Sequence, residues 1–215
     1  MKLLLIGVGP GIGLAVARRF GREGFEVLMI ARDDEKLQTF EQELRATGIA
    51  ATGYSTDIAD EAAYGRVLAQ IAQEHPDLDI MHYNASAFHP ALPSEMALPV
   101  FKSDLQINLT GALMAAQTFL PSMKARGKGT LFFTGGGSAL KAPANLTALS
   151  IGKAGMRNLA LGLAQECAPL GIQVATVTVC GMVQPGTKYD PDLIAAVFWR
   201  LYQLPRDQWE TEVMM

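Results

Sequence analysis

The sequence predicts an α/β fold, a doubly wound and mostly parallel sheet of about seven strands with helices on both faces. Short apolar runs rich in Leu, Ile and Val alternate with amphipathic segments of about 12 residues, as strands do with crossover helices. A glycine-rich turn separates the first apolar run from the first amphipathic segment. We expect residues 1–215 to form one domain, because no repeat or low-complexity tract divides the chain.

The glycine-rich turn has the composition of a diphosphate-binding turn. A buried strand over Leu3–Ile6 is followed by alternating glycines and then by an amphipathic helix over Gly11–Arg22. The glycines are Gly7, Gly9, Gly11 and Gly13. This order brings free backbone N–H groups and the positive end of a helix dipole to a diphosphate, which a Cβ atom would hold away. Nucleotide binding is therefore predicted, and a turn without a ligand is the alternative.

The remaining elements follow from the same apolar spacing and from glycine, proline and capping residues. Further strands are predicted over Phe25–Ala31, Ile49–Thr56, Leu78–Tyr83, Thr130–Thr134 and Ile172–Val179, with a short final strand within Glu210–Met215. Further helices are predicted over Asp34–Thr47, Asp60–His75, Val100–Arg126, Leu146–Pro169 and Asp190–Gln203. Asp60 and Asp190 are the expected helix caps, and the proline-rich stretch Phe88–Leu98 is an expected loop at the carboxyl ends of the strands.

The residue that follows the second strand bears on the identity of the nucleotide. An acid at this position binds the free 2′-hydroxyl of the adenosine ribose, whereas a nearby arginine accommodates a 2′-phosphate. Ala31 followed by Arg32 therefore favours NADP over NAD. A solvated Arg32, with Asp33 or Asp34 capping the next helix, is the alternative. Asp57, at the end of the third strand, is placed either to accept from the adenine amino group or to form a turn.

Composition argues against several other classes of protein. The net charge of −3 and the absence of a basic stripe argue against nucleic-acid binding. No apolar stretch approaches the roughly 18 residues of a membrane span, and the run Met1–Ile6 is too short for a signal peptide, so we expect a cytoplasmic protein. Cys167 and Cys180 are expected to be small core residues, and the spacing of histidines and cysteines predicts no metal site.

Six motifs follow one another along the chain in a characteristic order. They are Gly7-x-x-x-Gly11-Ile12-Gly13, Asp57, Asn84-Ala85, Asn108-Leu109-Thr110-Gly111, Lys153-Ala154 and the glycine of Val179-Cys180-Gly181-Met182-Val183. With these motifs the sequence resembles the short-chain dehydrogenase/reductase family across nearly the full chain. The resemblance implies NADP as cofactor, with NAD as second choice. The implied cofactor-binding residues are Gly7, Gly9, Gly11, Ile12, Gly13, Arg32, Asp57, Asn84, Ala85, Lys153, Gly181 and Val183. The implied catalytic residues are Lys153, Asn108 and Ser138.

The departures from the family pattern concern proton transfer. Leu149 stands four residues before Lys153, where the family has a tyrosine that protonates the developing alkoxide during hydride transfer. Loss of a positioned general acid typically costs about 10²–10⁴ in rate. The family serine falls near Gly136, so Ser138 lies two residues beyond its position. For Asn108, the alternative to a catalytic role is a structural role at a helix kink. Other candidate proton donors are Ser150, His82, His89 and Tyr189.

Three hypotheses follow for the function. The first is an NADP(H)-dependent oxidoreductase that reduces a small apolar carbonyl, imine or enone. Its expected apolar pocket is lined by Phe88, Leu92, Met96 and Met182. The second is a catalytically inactive cofactor-binding or regulatory module. The third is a methyltransferase, since the same alternating glycines fit the turn that holds S-adenosylmethionine.

The resemblance also implies a homodimer or homotetramer assembled through the two long helices Val100–Arg126 and Leu146–Pro169. Small or apolar residues on these helices suit such packing. They are Ala112, Leu113, Ala116, Leu159 and Leu163. The alternative is that the same residues face the sheet.

Overall fold

The computed structural model describes all residues, Met1–Met215, and contains one sheet of seven strands. The strands are β1 (Lys2–Ile6), β2 (Glu26–Ala31), β3 (Ala51–Ser55), β4 (Ile80–Tyr83), β5 (Gly129–Gly136), β6 (Ile172–Val179) and β7 (Glu212–Met214). The helices are α1 (Ile12–Gly21), α2 (Asp34–Ala46), α3 (Glu61–Glu74), α4 (Leu98–Leu105), α5 (Gly111–Arg126), α6 (Thr147–Cys167) and α7 (Pro191–Gln203). All neighbouring strands are parallel.

The strand order is β3-β2-β1-β4-β5-β6-β7, so the direction of winding reverses between β1 and β4. This confirms the predicted doubly wound sheet. Along β1, Leu3 and Leu5 pack beneath α1, α2 and α7, while Leu4 and Ile6 face the core beneath α3, α5 and α6. Both faces of the sheet are therefore covered by helices, which is why the inner strands β1 and β2 are nearly continuous apolar runs.

The N-terminal ends of α2, α3 and α7 are fixed by local side-chain hydrogen bonds. Asp33, Asp60 and Asp190 each cap a helix through a side-chain oxygen that accepts from a backbone N–H, which confirms the caps expected at Asp60 and Asp190. Cys167 is buried as expected, but the expectation for Cys180 is wrong. Strand β6 ends at Val179, so Cys180 begins an exposed loop.

The helix predicted over Val100–Arg126 is interrupted. A π-helical turn over Gln106–Thr110 separates α4 from α5. The hydroxyl of Tyr83 donates to the carbonyl of Ile107 at 2.6 Å, which engages an acceptor that a regular helix would use internally. At Gly111, where α5 begins, a Cβ atom would come within 2.6 Å of the same hydroxyl. The interruption therefore depends on a side chain from β4.

Three of the residues expected at a subunit interface are buried within the chain. Ala112, Ala116 and Leu163 belong to the core beneath the sheet, so these three face the sheet and not a second subunit. Leu113 is exposed and Leu159 is half-buried. No helix of the fold combines the length and the apolar character that crossing a bilayer requires.

Candidate cofactor and catalytic site

Two adjoining cavities lie at the carboxyl ends of the strands. The first has a volume of about 820 Å³ and runs from the glycine turn over β5 and β6 to the start of α6. The second, of about 500 Å³, lies over the ends of β2 and β3. Gly7, Asn84 and Ser86 line both, so the two form one crevice across the point where the winding reverses. Such a crevice is the usual ligand site of a doubly wound sheet.

The glycines of the first turn have two different roles. Gly7 has a φ of 89°, and a Cβ atom there would lie 2.4 Å from the Cα of Ala85. Gly13 is also closely packed, since its Cβ would lie 3.0 Å from the Cα of Val8. At Gly9 and Gly11 a Cβ atom would meet nothing within 4 Å, and both residues line the first cavity. The first pair makes the turn tight, and the second pair leaves backbone open to the cavity.

The segment after β4 supports this turn. The side-chain amide of Asn84 donates to the carbonyl of Gly7 at 2.8 Å, and Ala85 provides the backbone on which Gly7 packs. Ile12, the first residue of α1, lines the first cavity, and no side chain caps this helix. The N–H groups of Ile12 and Gly13 are therefore available to a ligand anion, whereas that of Leu14 donates to the carbonyl of Gly9.

Arg32 lies at the second cavity without a partner for its guanidinium. The side chain is exposed and forms no ion pair or hydrogen bond with another side chain. Asp33 does not compete for it, because its carboxylate caps α2 and pairs with the ammonium of Lys36 at 2.8 Å. These hydrogen bonds from Lys36 lower the pKa of Asp33. Asp57 lines the same cavity, and one of its oxygens accepts from the N–H of Ala59 in a turn.

Lys153 lies at the floor of the first cavity on α6. It is buried, and its ammonium donates to the carbonyl of Thr134 at 2.8 Å. Burial lowers the pKa of Lys153 from 10.5 to about 8. No acidic residue lines this cavity, so the hydrogen bond to Thr134 offsets only part of the cost of desolvating the ammonium. The floor of the first cavity thus holds an ammonium that gives up its proton more readily than that of an exposed lysine.

Lys153→Met is expected to stabilise the unliganded protein at pH 7 by about 1–3 kcal/mol, which is the desolvation cost minus one lost hydrogen bond. Because the folded-state pKa lies below the unfolded value, the cost is full below about pH 8 and disappears as the pH rises toward 10.5. Denaturant melts of both proteins at pH 7 and pH 10 measure this. A variant less stable than wild type at pH 7 would contradict it.

Leu149 and Ser138 complete the wall beside the lysine. Leu149 lines the first cavity one helical turn before Lys153. Ser138 lines it as well, and its hydroxyl lies 3.7 Å from the point that a Cβ at Gly136 would occupy. The Cγ of Lys153 is 3.8 Å from the same point. The hydroxyl of Ser138 therefore lies beside the space that a side chain at position 136 would enter.

The loop after β6 supplies the opposite wall. Gly181 and Val183 both line the first cavity. A Cβ atom at Gly181 would lie 1.9 Å from the ring of Tyr189, so glycine is required for this ring to pack against the loop. Tyr189 itself is outside the cavity lining.

Asn108 lies away from the cavity surface in the π-helical turn. It is fully buried, and its amide both accepts from the N–H of Ala87 at 2.9 Å and donates to the carbonyl of Ala87 at 3.0 Å. These bonds hold the segment after β4 against the helix, in agreement with the structural alternative.

The remaining candidate proton donors are not at the first cavity. His82 is buried between strands and α7, and burial, with a smaller contribution from Lys153, lowers its pKa to about 3. The hydroxyl of Ser150 is buried and has no partner. His89 lines the second cavity. The titratable side chains that line the first cavity are Lys153, Lys141 and Cys180, and its hydroxyl groups are those of Ser86, Thr134 and Ser138. Cys180 is therefore a cavity residue and not the core residue that was expected.

The apolar wall differs from the predicted one. Leu92, Met96 and Met182 line neither cavity, and Phe88 lines the second. The wall of the first cavity is formed instead by Leu140, Pro143, Leu146, Leu149 and Val183. Three of these five precede α6, because the long loop after β5 also lies at the carboxyl ends of the strands. That position is the signal which could have identified them.

Comparison with known proteins agrees with this geometry. The family model of the short chain dehydrogenases matches residues 2–192. The chain is 32% identical over 179 residues to a Streptomyces coelicolor protein provisionally named a ketoacyl reductase, covering 81% of this chain and 67% of that protein. It is 27% identical over 184 residues to 2,3-dihydro-2,3-dihydroxybenzoate dehydrogenase of Bacillus subtilis, covering 85% and 68%.

Solved structures show the same fold. A short-chain dehydrogenase from Rhodopseudomonas palustris superposes with a TM-score of 0.89 at 28% identity, over 100% of this chain and 97% of that one. A structure from Beutenbergia cavernae, provisionally named an NAD(P)-dependent gluconate 5-dehydrogenase, contains NADP at low occupancy. It gives a TM-score of 0.80 at 25% identity, over 97% and 83%. The chain belongs to the short-chain dehydrogenase family of oxidoreductases.

Proposed function

We propose that the protein is an NADP(H)-dependent reductase of a small apolar carbonyl, imine or activated alkene, with an atypical proton supply. The proposal rests on three features that lie along one crevice. They are the open glycine backbone, the unpaired guanidinium of Arg32 and the buried ammonium of Lys153. The NADP in the Beutenbergia cavernae structure supports the choice of cofactor.

The residues present fit a phosphorylated dinucleotide. The space at Gly9 and Gly11 that a Cβ would fill, beside an uncapped helix, suits a diphosphate. Arg32 suits the 2′-phosphate, and Lys153 would bind the nicotinamide ribose hydroxyls. Gly181 and Val183 would contact the nicotinamide end. When bound, the cofactor supplies the hydride.

The protein's own contribution to the reaction centres on Lys153. Two lysines line the first cavity, the exposed Lys141 and the buried Lys153. With Leu149 in place of a phenol, the proton supply falls to the buried ammonium of Lys153, one helical turn from Leu149. Its pKa of about 8 leaves it mostly protonated at neutral pH and able to give the proton up. Imines and activated alkenes suit such a site, because water or an already protonated substrate reduces the demand for a strong general acid.

Arg32→Ala is the experiment that tests the cofactor assignment. We expect wild type to bind NADPH more tightly than NADH, and the variant to lose about 10- to 100-fold in NADPH affinity while NADH binding changes little. Calorimetric titration measures both dissociation constants. Arg66→Ala is the control, because Arg66 is an exposed arginine outside both cavities. Equal affinities for NADH and NADPH in wild type would refute the assignment.

A second candidate function is a cofactor-binding module without turnover, and the observation that favours it is Leu149, which has no proton to give. A panel of aldehydes, quinones, imines and enones, followed by the absorbance of NADPH, separates the two candidates. Consumption of NADPH with any of them supports the reductase. Flat traces throughout, with tight NADPH binding, support the module.

We also propose a homodimer or homotetramer. Leu113 and Leu159, which retain exposed surface in the single chain, are the residues of the expected set that remain available to a second copy. Sedimentation of the purified protein tests this.

A further inference from the structure

Asp104 is the one acidic side chain of this protein with no exposed surface. It lies on α4, and one carboxylate oxygen contacts Nδ1 of His89 at 2.7 Å. The other oxygen is buried and has no partner. Burying a carboxylate with an unsatisfied oxygen is costly, and a hydrogen bond to a single imidazole offsets only part of the cost. The fold alone therefore gives no reason for an acid here.

His89 is the group that this acid holds. The imidazole is 63% exposed and lines the second cavity together with Arg32 and Asp57. Its loop is fixed from the other side, because the N–H of Ala91 donates to the carbonyl of Asn145 at 3.1 Å. The buried carboxylate thus determines the orientation of a ring whose surroundings are open to a ligand.

The hydrogen bond also determines what the free nitrogen of His89 can do. A carboxylate oxygen only accepts, so Nδ1 carries the proton of the ring. Nε2, which has no partner in the fold, is then an acceptor in the neutral ring. The cavity around it is half apolar, with Val8, Ile58 and Ile107 among its walls. An acceptor at the edge of an apolar slot suits a flat heterocycle that carries an amino group.

We infer that His89, oriented by Asp104, recognises the amino group of the cofactor's adenine, an inference that rests on the proposed function. His89 is then a cofactor-binding residue that discriminates between bases, and Asp104 is a positioning residue. Asp57 accepts from the N–H of Ala59 in a turn, and with His89 present it is not the sole acceptor for the adenine amino group.

The test uses NADPH and its deamino analogue, in which hypoxanthine carries a carbonyl oxygen in place of the amino group. Titrations of both dinucleotides are made at about pH 8. We expect wild type to bind NADPH about 3- to 10-fold more tightly than the analogue. His89→Ala should lose this preference by weakening NADPH alone. His75→Ala is the control, since His75 lies at the end of α3 outside both cavities.

Asp104→Leu separates positioning from a structural role. Replacing an unsatisfied buried acid by an apolar side chain of similar size should leave the melting temperature unchanged or higher, yet reduce the preference for NADPH. Added to His89→Ala, it should change the preference no further, because both act through one contact. A preference that survives His89→Ala, or tighter binding of the analogue by wild type, overturns the inference. Wild type that binds neither dinucleotide refutes the proposed function instead.

Discussion

Leu149→Tyr is expected to raise the rate of carbonyl reduction by about 10²–10⁴-fold, the usual contribution of a positioned general acid. Leu149 lines the first cavity one turn before Lys153, so a phenol on its backbone would enter the same space as the ammonium. A nearby positive charge favours the phenolate, which makes the phenol a better proton donor. Initial rates of NADPH oxidation with an aldehyde measure the gain.

Leu146→Tyr is the matched control for this gain. Leu146 lines the same cavity but precedes the first turn of α6, so a phenol there lacks the spacing to Lys153. We expect its rate to stay near that of wild type. If Leu149→Tyr binds NADPH and is no faster than Leu146→Tyr, the site lacks more than its acid and the module becomes the better description.

Gly11→Ala and Gly7→Ala are expected to fail in different ways. At Gly11 a Cβ atom would meet no protein atom within 4 Å, so the variant should fold with nearly wild-type stability and lose at least about 10-fold in NADPH affinity. At Gly7 the φ of 89° and a Cβ 2.4 Å from the backbone of Ala85 both oppose a side chain. That variant should lose more than about 3 kcal/mol of stability.

Denaturant melts and calorimetric titrations of the two glycine variants check this division. Gly24→Ala is a control for the positive φ alone, because Gly24 has a φ of 87° with open space around its Cβ position. It should cost about 1–2 kcal/mol and leave NADPH affinity intact. Wild-type affinity in Gly11→Ala would place the phosphates elsewhere in the crevice.

The sheet could be predicted because its physical signals are local. A strand buried on both faces must be an apolar run, and a parallel sheet needs helices between such runs. The helices that begin after Asp60 and Asp190 could be predicted because each of these residues caps the helix that follows it. The π-helical turn could not be predicted, since it depends on the hydroxyl of Tyr83, a residue more than 20 positions earlier in the chain.

In the candidate site, too, the residues with a local signal could be predicted and the contacts between distant residues could not. Gly7, Arg32 and Lys153 were identifiable because each follows a strand or matches a motif, and the topology then brings strand ends together. The pairing of His89 with Asp104 could not be predicted, because nothing in the sequence indicates which acid is buried beneath a loop. The exposure of Cys180 was missed for a related reason, as one residue decides whether a strand has ended.

Calorimetric titration of the wild-type protein with NADPH determines whether a phosphorylated dinucleotide binds along the crevice even though Leu149 replaces the proton donor. We expect saturable binding of one NADPH per chain, tighter than that of NADH. Absence of binding heat at several temperatures, with the protein shown to be folded, would contradict it.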